Sequence, residues 1–245
     1  MSLRAAVPFV LALVAGLVSA VDVQVAAAAN LNQALPGVVA AFEEAHPGWS
    51  VGVSYAASGT LAEQIRRGAP YDLFLSASPR YVDHVAETHG VVERRVFAVG
   101  RLVVYLPRRM GLKPTGLEVL LDPRIRRIVL ANPEHAPYGE AAVAALERAG
   151  LYGPLEPRLV YASNVAQAAQ MVLHGADAGL IARSAAMSPA MTEAGSFWTV
   201  PAWMHPPLVQ EAALIQNSEA ARAFFDFLSS PAAQRILREH GFDAP

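Results

Sequence analysis

Three short stretches of the 245-residue chain combine small residues with neutral hydrogen-bond donors and carry no charge. They are Ala26-Ala-Ala-Ala-Asn30, Tyr55-Ala-Ala-Ser-Gly-Thr60 and Ala162-Ser-Asn-Val165. Each stands where an apolar, strand-like run gives way to a helical period. Unpaired backbone N–H groups gather at a helix start and the helix dipole adds partial positive charge there, so such junctions suit an anion. Asn and Ser are also ordinary N-caps, and capping alone accounts for any one junction. Three in one chain put anion binding beside capping as a reading.

The patterns of covalent and metal chemistry are missing. Ser58 lies in Ala-Ala-Ser-Gly-Thr, not in the Gly-x-Ser-x-Gly turn of hydrolases. Glu43 and Glu44 are neighbours on one helix, face different directions and read as solvated. The histidines (His46, His84, His89, His135, His174, His205 and His240) are scattered without a His-x-x-x-His pair, which argues against a metal site. The lack of cysteine removes zinc fingers, iron–sulfur clusters and thiol catalysis. Neither glycine-rich nucleotide fingerprint occurs. The Arg-Arg pairs at 66–67, 94–95, 108–109 and 126–127 read as solvated faces, and 19 basic against 21 acidic residues leave no basic excess for a nucleic-acid partner.

Elements able to hold three such junctions must alternate, and they do. With 53% hydrophobic and 16% charged residues the chain is not disordered, and its length suits one large domain or two lobes with a substantial core. Strand signals run over 21–27, 49–55, 71–75, 101–106, 127–130, 159–161, 178–181 and 208–215. Helical periods run over 31–45, 60–67, 140–149, 165–173, 218–229 and 231–240, with a further helix opened by Ser78-Pro79. The region 185–206 reads as loop-rich, and Arg222 and Asp226 as an exposed i,i+4 pair. This rhythm predicts an α/β fold with mostly parallel sheets, helices on both faces and ligands beyond the carboxyl ends of the strands. At the N-terminus, Arg4, an apolar run and Val18-Ser-Ala20 form an export leader over 1–20, expected to be cleaved near Ala20 to release a periplasmic protein. Without cysteine, a lipoprotein anchor is not expected.

The chain resembles the periplasmic molybdate-binding proteins of ABC importers over essentially its whole length after the leader. The resemblance rests on Ala-Ala-Ala-Asn-Leu at 27–31, Ala-Ser-Gly-Thr-Leu-Ala at 57–62 and Gly-Ala-Pro-Tyr-Asp-Leu-Phe-Leu-Ser-Ala at 68–77. It continues with Asn-Pro-Glu-His-Ala-Pro-Tyr-Gly at 132–139, Asn-Val-Ala-Gln-Ala at 164–168 and Arg-Glu-His-Gly-Phe at 238–242. It implies a type II periplasmic binding protein fold with lobe one from 21–104 and 207–245, lobe two from 105–206, and the ligand in the interlobe cleft.

The same resemblance implies the ligand set. Asn30 falls where the family has Ser, or Thr-Asn in another branch, and its amide N–H₂ can donate. Ser58 matches a family Ser that donates through hydroxyl and backbone, and Val165 a position that donates only its backbone N–H. Tyr138 sits where one branch has Ala and another a ligand Tyr. Many members carry a ligand Tyr where this chain has Ala182, so the Tyr138 hydroxyl is expected to replace the missing donor. Implied further are molybdate or tungstate as cargo, molybdenum entering only as molybdate, no cofactor, a membrane permease as partner, a monomer and no catalysis. Sulfate or phosphate carriage is the alternative within the binding class, and a secreted hydrolase the alternative outside it.

Overall fold

A computed structural model describes residues 21–245; the expected leader lies outside the described residues. The first sheet contains β1 (Val23–Ala28), β2 (Val51–Ala56), β3 (Leu73–Ser76) and β4 (Glu93–Gly100). Between these strands lie α1 (Leu35–Ala45), α2 (Ser58–Arg66) and α3 (Pro79–Thr88). The chain then passes into β5 (Leu102–Pro107), β6 (Ile128–Ala131), α4 (Pro137–Arg148), α5 (Tyr152–Leu155), β7 (Leu159–Ala162) and α6 (Val165–Leu173). It continues through β8 (Ala178–Ala182), α7 (Arg183–Ala186), α8 (Pro189–Ala194) and β9 (Gly195–Thr199) before returning through β10 (Leu208–Leu214), α9 (Glu219–Phe227) and α10 (Pro231–Glu239).

Two five-stranded sheets result, ordered β2-β1-β3-β10-β4 and β7-β6-β8-β5-β9. Both are mixed. β1 runs parallel to β2 and β3, and β6 parallel to β7 and β8, as strand–helix–strand connections allow. β10 lies antiparallel between β3 and β4, and β5 antiparallel between β8 and β9. These are the strands that follow the two passages between sheets, so the reversals come from the crossings. The first passage is at Arg101: all of β5 pairs in the second sheet, whereas the expected crossing near 104 falls inside that strand. The second lies between β9 and β10, where 207 was expected.

Helices cover both faces of the first sheet. Leu35, Val38, Phe42, Phe224 and Phe225 pack on one side, and Leu61, Ile65, Val82 and Val85 on the other. The second sheet has one core, built on the fully buried β5 and β8, and this core reaches Ala28, Ala57 and Ala77 of the first lobe. Small side chains there let the lobes approach.

Several local expectations change. Glu93–Gly100 is a strand although no strand is legible there, and 185–206 holds α8 and β9 rather than only loop. Both extra strands are sheet edges. Arg222 and Asp226 do not pair with each other: Arg222 bonds Glu93 and Asp226 bonds Arg95, because β4 lies alongside α9. Arg94 is no solvated charge either, since its fork grips the buried Glu211 carboxylate at 2.7 and 2.9 Å.

The C-terminal segment ties the first passage. Asp243 pairs through its backbone with Val99, while its carboxylate accepts from Arg101 at the passage and Arg183 of α7. Burial pushes this carboxyl upward, but the hydrogen bonds from Arg183 and Arg101 outweigh it and hold it below its ordinary range. A depressed pKa stabilises the fold above the unfolded carboxylate value and is lost as pH falls through the folded one. Asp243→Asn should therefore cost about 1 kcal/mol at neutral pH, discounted for partial exposure, or roughly 2–4 °C in melting temperature. The difference from the parent should fade below about pH 4. Thermal melts across pH check this, and a pH-independent difference would refute it.

Candidate functional site

The carboxyl end of β1 turns into a short 3-10 segment, Ala29–Leu31, which sets Asn30 at the cleft. β2 delivers Ser58 as the first residue of α2, and β7 delivers Val165 as the first residue of α6. The loop after β6 delivers Tyr138 as the second residue of α4. All four line one small cavity between the lobes, together with Asn164. None of its lining residues is Asp, Glu, Lys, Arg or His. All four are almost fully buried.

Capping and anion binding can now be separated helix by helix. Asn164 does cap α6, its side chain accepting from the Gln167 N–H. Ser218 and Ser230 cap α9 and α10, away from this cavity. By contrast α2 and α4 start from Ala57 and Ala136, which have no side-chain acceptor to offer. In their first turns Gly59 and Gly139 donate to the His135 and Ala136 carbonyls and Pro137 has no N–H, so the Ser58 and Tyr138 N–H groups are left for something in the cleft.

The side chains are set to donate. Ser58 Oγ accepts from the Ala77 N–H at 3.1 Å, which leaves its own proton for the cavity. Asn30 donates from Nδ2 to Gln210 Oε1 at 2.8 Å, and its backbone carbonyl accepts from Ser184 Oγ at 2.7 Å. Burial raises the Tyr138 hydroxyl well above the ordinary tyrosine value, against a smaller lowering by Asn30, so it stays protonated. Ala182, where the resemblance expects another tyrosine in many members, closes β8 opposite Leu102.

The lobes touch across this cavity. Gly59 N–H, in the first turn of α2, donates to the His135 carbonyl at 2.9 Å, and Arg80 of α3 pairs with Glu140 of α4. Outside this contact is a larger hollow of about 680 Å³ whose wall includes Glu63, Arg67, Arg80, His84 and Glu134. A Cβ at Gly59 would stand 2.9 Å from both the His135 oxygen and Tyr81 Cε1. Gly59→Val should thus hinder closure, weakening ligand binding by about tenfold to a hundredfold, the cost of overpacking by 1–3 kcal/mol. The melting temperature without ligand should fall only modestly, because the Tyr81 ring edge in the same lobe is a side chain that can give way, whereas the His135 backbone is met only when the lobes close. Titration and melting of the variant test this together.

Residues that the sequence did not single out complete the site. Gln210, Ser184 and the Gly59–His135 contact are joined to it only by folding; Gln210 is 180 positions from Asn30. Gly100 belongs with them, since a Cβ there would overlap the Tyr138 hydroxyl. No spacing rule could have found these pairs.

Two α/β lobes, joined by two passages and closed over a buried, uncharged, donor-lined cavity, define a solute-binding protein of the two-lobed class. The family described as bacterial extracellular solute-binding protein matches residues 23–243, and the chain belongs to it. It is 33% identical to the molybdate-binding protein ModA of Azotobacter vinelandii over 243 residues, 95% of this chain and 96% of that one. It is 35% identical to ModA of Rhodobacter capsulatus, over 95% of this chain and 93% of the relative. The solved structure of the Azotobacter vinelandii periplasmic molybdate-binding protein superposes with a TM-score of 0.81 at 31% identity, covering 91% of this chain and all of that one.

Proposed function

We propose that the protein is an exported receptor that binds molybdate, and tungstate with it, and passes the anion to the membrane permease of an ABC importer. The observation that carries this reading is the meeting of the α2, α4 and α6 N-termini with Asn30, Ser58 and Tyr138 on one uncharged cavity. A tetrahedral dianion offers only acceptors, so every group that holds it must donate. The Asn30 amide, the Ser58 hydroxyl and N–H, the Tyr138 hydroxyl and the Val165 N–H form the proposed ligand set. Charge-assisted hydrogen bonds of about 1.5–3 kcal/mol each can hold the dianion without a neutralising Arg or Lys. Such a site also releases its cargo more readily than an arginine clamp, as transfer to a permease demands. The names of the relatives support molybdate as the cargo.

In this reading the leader is removed near Ala20 and the mature protein works in the periplasm as a monomer, with no cofactor and no reaction of its own. The lobes divide at the two passages between sheets and open about them. Side-by-side calorimetric titration with molybdate, tungstate, sulfate and phosphate tests the proposal. Molybdate and tungstate should bind alike, because they are nearly equal in size and accept the same hydrogen bonds. Failure of both to bind would overturn it.

A further inference from the structure

We propose that Gln210 is a positioning residue, which fixes the orientation of the Asn30 amide and so keeps Asn30 a donor to an anion in the cavity. The inference rests on the oxyanion reading above and adds to it a residue outside the cavity lining. Gln210 lies on β10 and is fully buried. Its Nε2 donates to the Leu208 carbonyl at 2.8 Å, and its Oε1 accepts from Asn30 Nδ2 at 2.8 Å. A backbone carbonyl can only accept. Gln210 must therefore turn its nitrogen to Leu208 and its oxygen to Asn30, and Asn30 must answer with its nitrogen. Turning either amide over would set oxygen against oxygen. Polarity passes in this way from a group that cannot flip, through two that could.

The Asn30 oxygen shows that this orientation is imposed. Asn30 Oδ1 is buried without a hydrogen-bond partner. An unanchored amide would rotate to relieve that oxygen, since a buried unpaired acceptor is costly. The anchored one keeps its nitrogen engaged, and Gln210 uses only one of its two N–H groups. Asn30 lines the cavity, and the Tyr138 hydroxyl stands beside its amide. A Cβ at Gly100 would come within 3.1 Å of Gln210 Nε2 and overlap the Tyr138 hydroxyl, so these three residues pack as one group next to the passage at Arg101.

Two substitutions separate positioning from packing. Gln210→Met keeps the length and removes both hydrogen bonds. Gln210→Glu can replace Gln210 only while protonated, when it donates to Leu208 and accepts from Asn30; burial raises its pKa into an accessible range. Once ionised it can still accept from Asn30 but sets oxygen against the Leu208 carbonyl and places a negative charge near the anion. Molybdate titrations between about pH 6 and about pH 9 should give a flat affinity for the parent. Gln210→Glu should bind within about threefold of the parent at the acid end and at least about tenfold weaker at the alkaline end, and Gln210→Met at least about tenfold weaker throughout. Side-chain amide exchange of Asn30, measured by NMR without ligand, should be slow in the parent and fast in Gln210→Met. Parent-like, pH-independent affinity in Gln210→Glu, or equal Asn30 exchange in parent and Gln210→Met, overturns the role of Gln210. If the parent binds no oxyanion, the oxyanion reading fails and the role of Gln210 with it, even where Asn30 exchange still shows the anchor. If Gln210→Glu does not fold, Gln210→Met carries the test through affinity and exchange.

Discussion

Molybdate should bind at least about a hundredfold more tightly than sulfate when the two are titrated into the protein under the same conditions. The donors come from four separate places: the 3-10 segment after β1, and the first turns of α2, α4 and α6. Each is fixed by packing, with Asn30, Ser58, Tyr138 and Val165 all buried, so they cannot all move in to meet a smaller anion. Two charge-assisted hydrogen bonds lost at about 1.5–3 kcal/mol each account for the discrimination. Phosphate adds a second arm. Near neutral pH it always carries at least one proton, and that donor would face other donors in the cavity. Sulfate bound as tightly as molybdate would reject selection by size, and phosphate bound as tightly would reject an all-donor site.

Tyr138→Phe should weaken molybdate binding by about 1.5–3 kcal/mol, or roughly tenfold to more than a hundredfold. The substitution keeps the ring, its packing and the backbone N–H, and removes only the hydroxyl that is expected to stand in for a donor at Ala182. Stability without ligand should change little. Ser58→Ala should weaken binding to a similar degree, but it should also destabilise the unliganded protein by about 1–3 kcal/mol, because Ser58 Oγ accepts from the buried Ala77 N–H. Val165→Ala should change affinity by less than about threefold, since only its backbone is proposed to bind. Calorimetry and thermal melts on the three variants distinguish these outcomes. Parent-like affinity in Tyr138→Phe with a clear loss in Ser58→Ala would reduce Tyr138 to packing against Gly100 and leave the oxyanion site standing.

The regular elements were legible where their signals are local. β5 and β8 are buried on both faces and read as unbroken apolar runs, and α6 begins and ends where its cap and period predict. β4 and β9 were not legible because of the residues they open with, whereas the other two edges, β2 and β7, keep an apolar strand signal. β4 begins Glu-Arg-Arg and β9 begins with Gly, and edge strands carry charge and irregularity that interior strands cannot. The exposed pair expected of Arg222 and Asp226 failed for a related reason. Partners on β4 outcompete a neighbour on the same helix.

The sequence by itself set the starts of α2 and α4 late, at 60 and 140 where the helices begin at Ser58 and Pro137. It did determine the small uncharged residues at the strand-to-helix junctions and, through resemblance to a family, four of the residues that line the cavity. Those properties are local: an alanine before α2 cannot cap it whatever the rest of the chain does. The tertiary structure alone decided how those residues act. It closed Gly59 onto His135, admitted the Tyr138 hydroxyl beside Gly100, and joined Asn30 to Gln210. Hydrogen-bond direction is set by which groups meet, and residues 180 positions apart meet only when two passages between sheets bring β10 back beside the site.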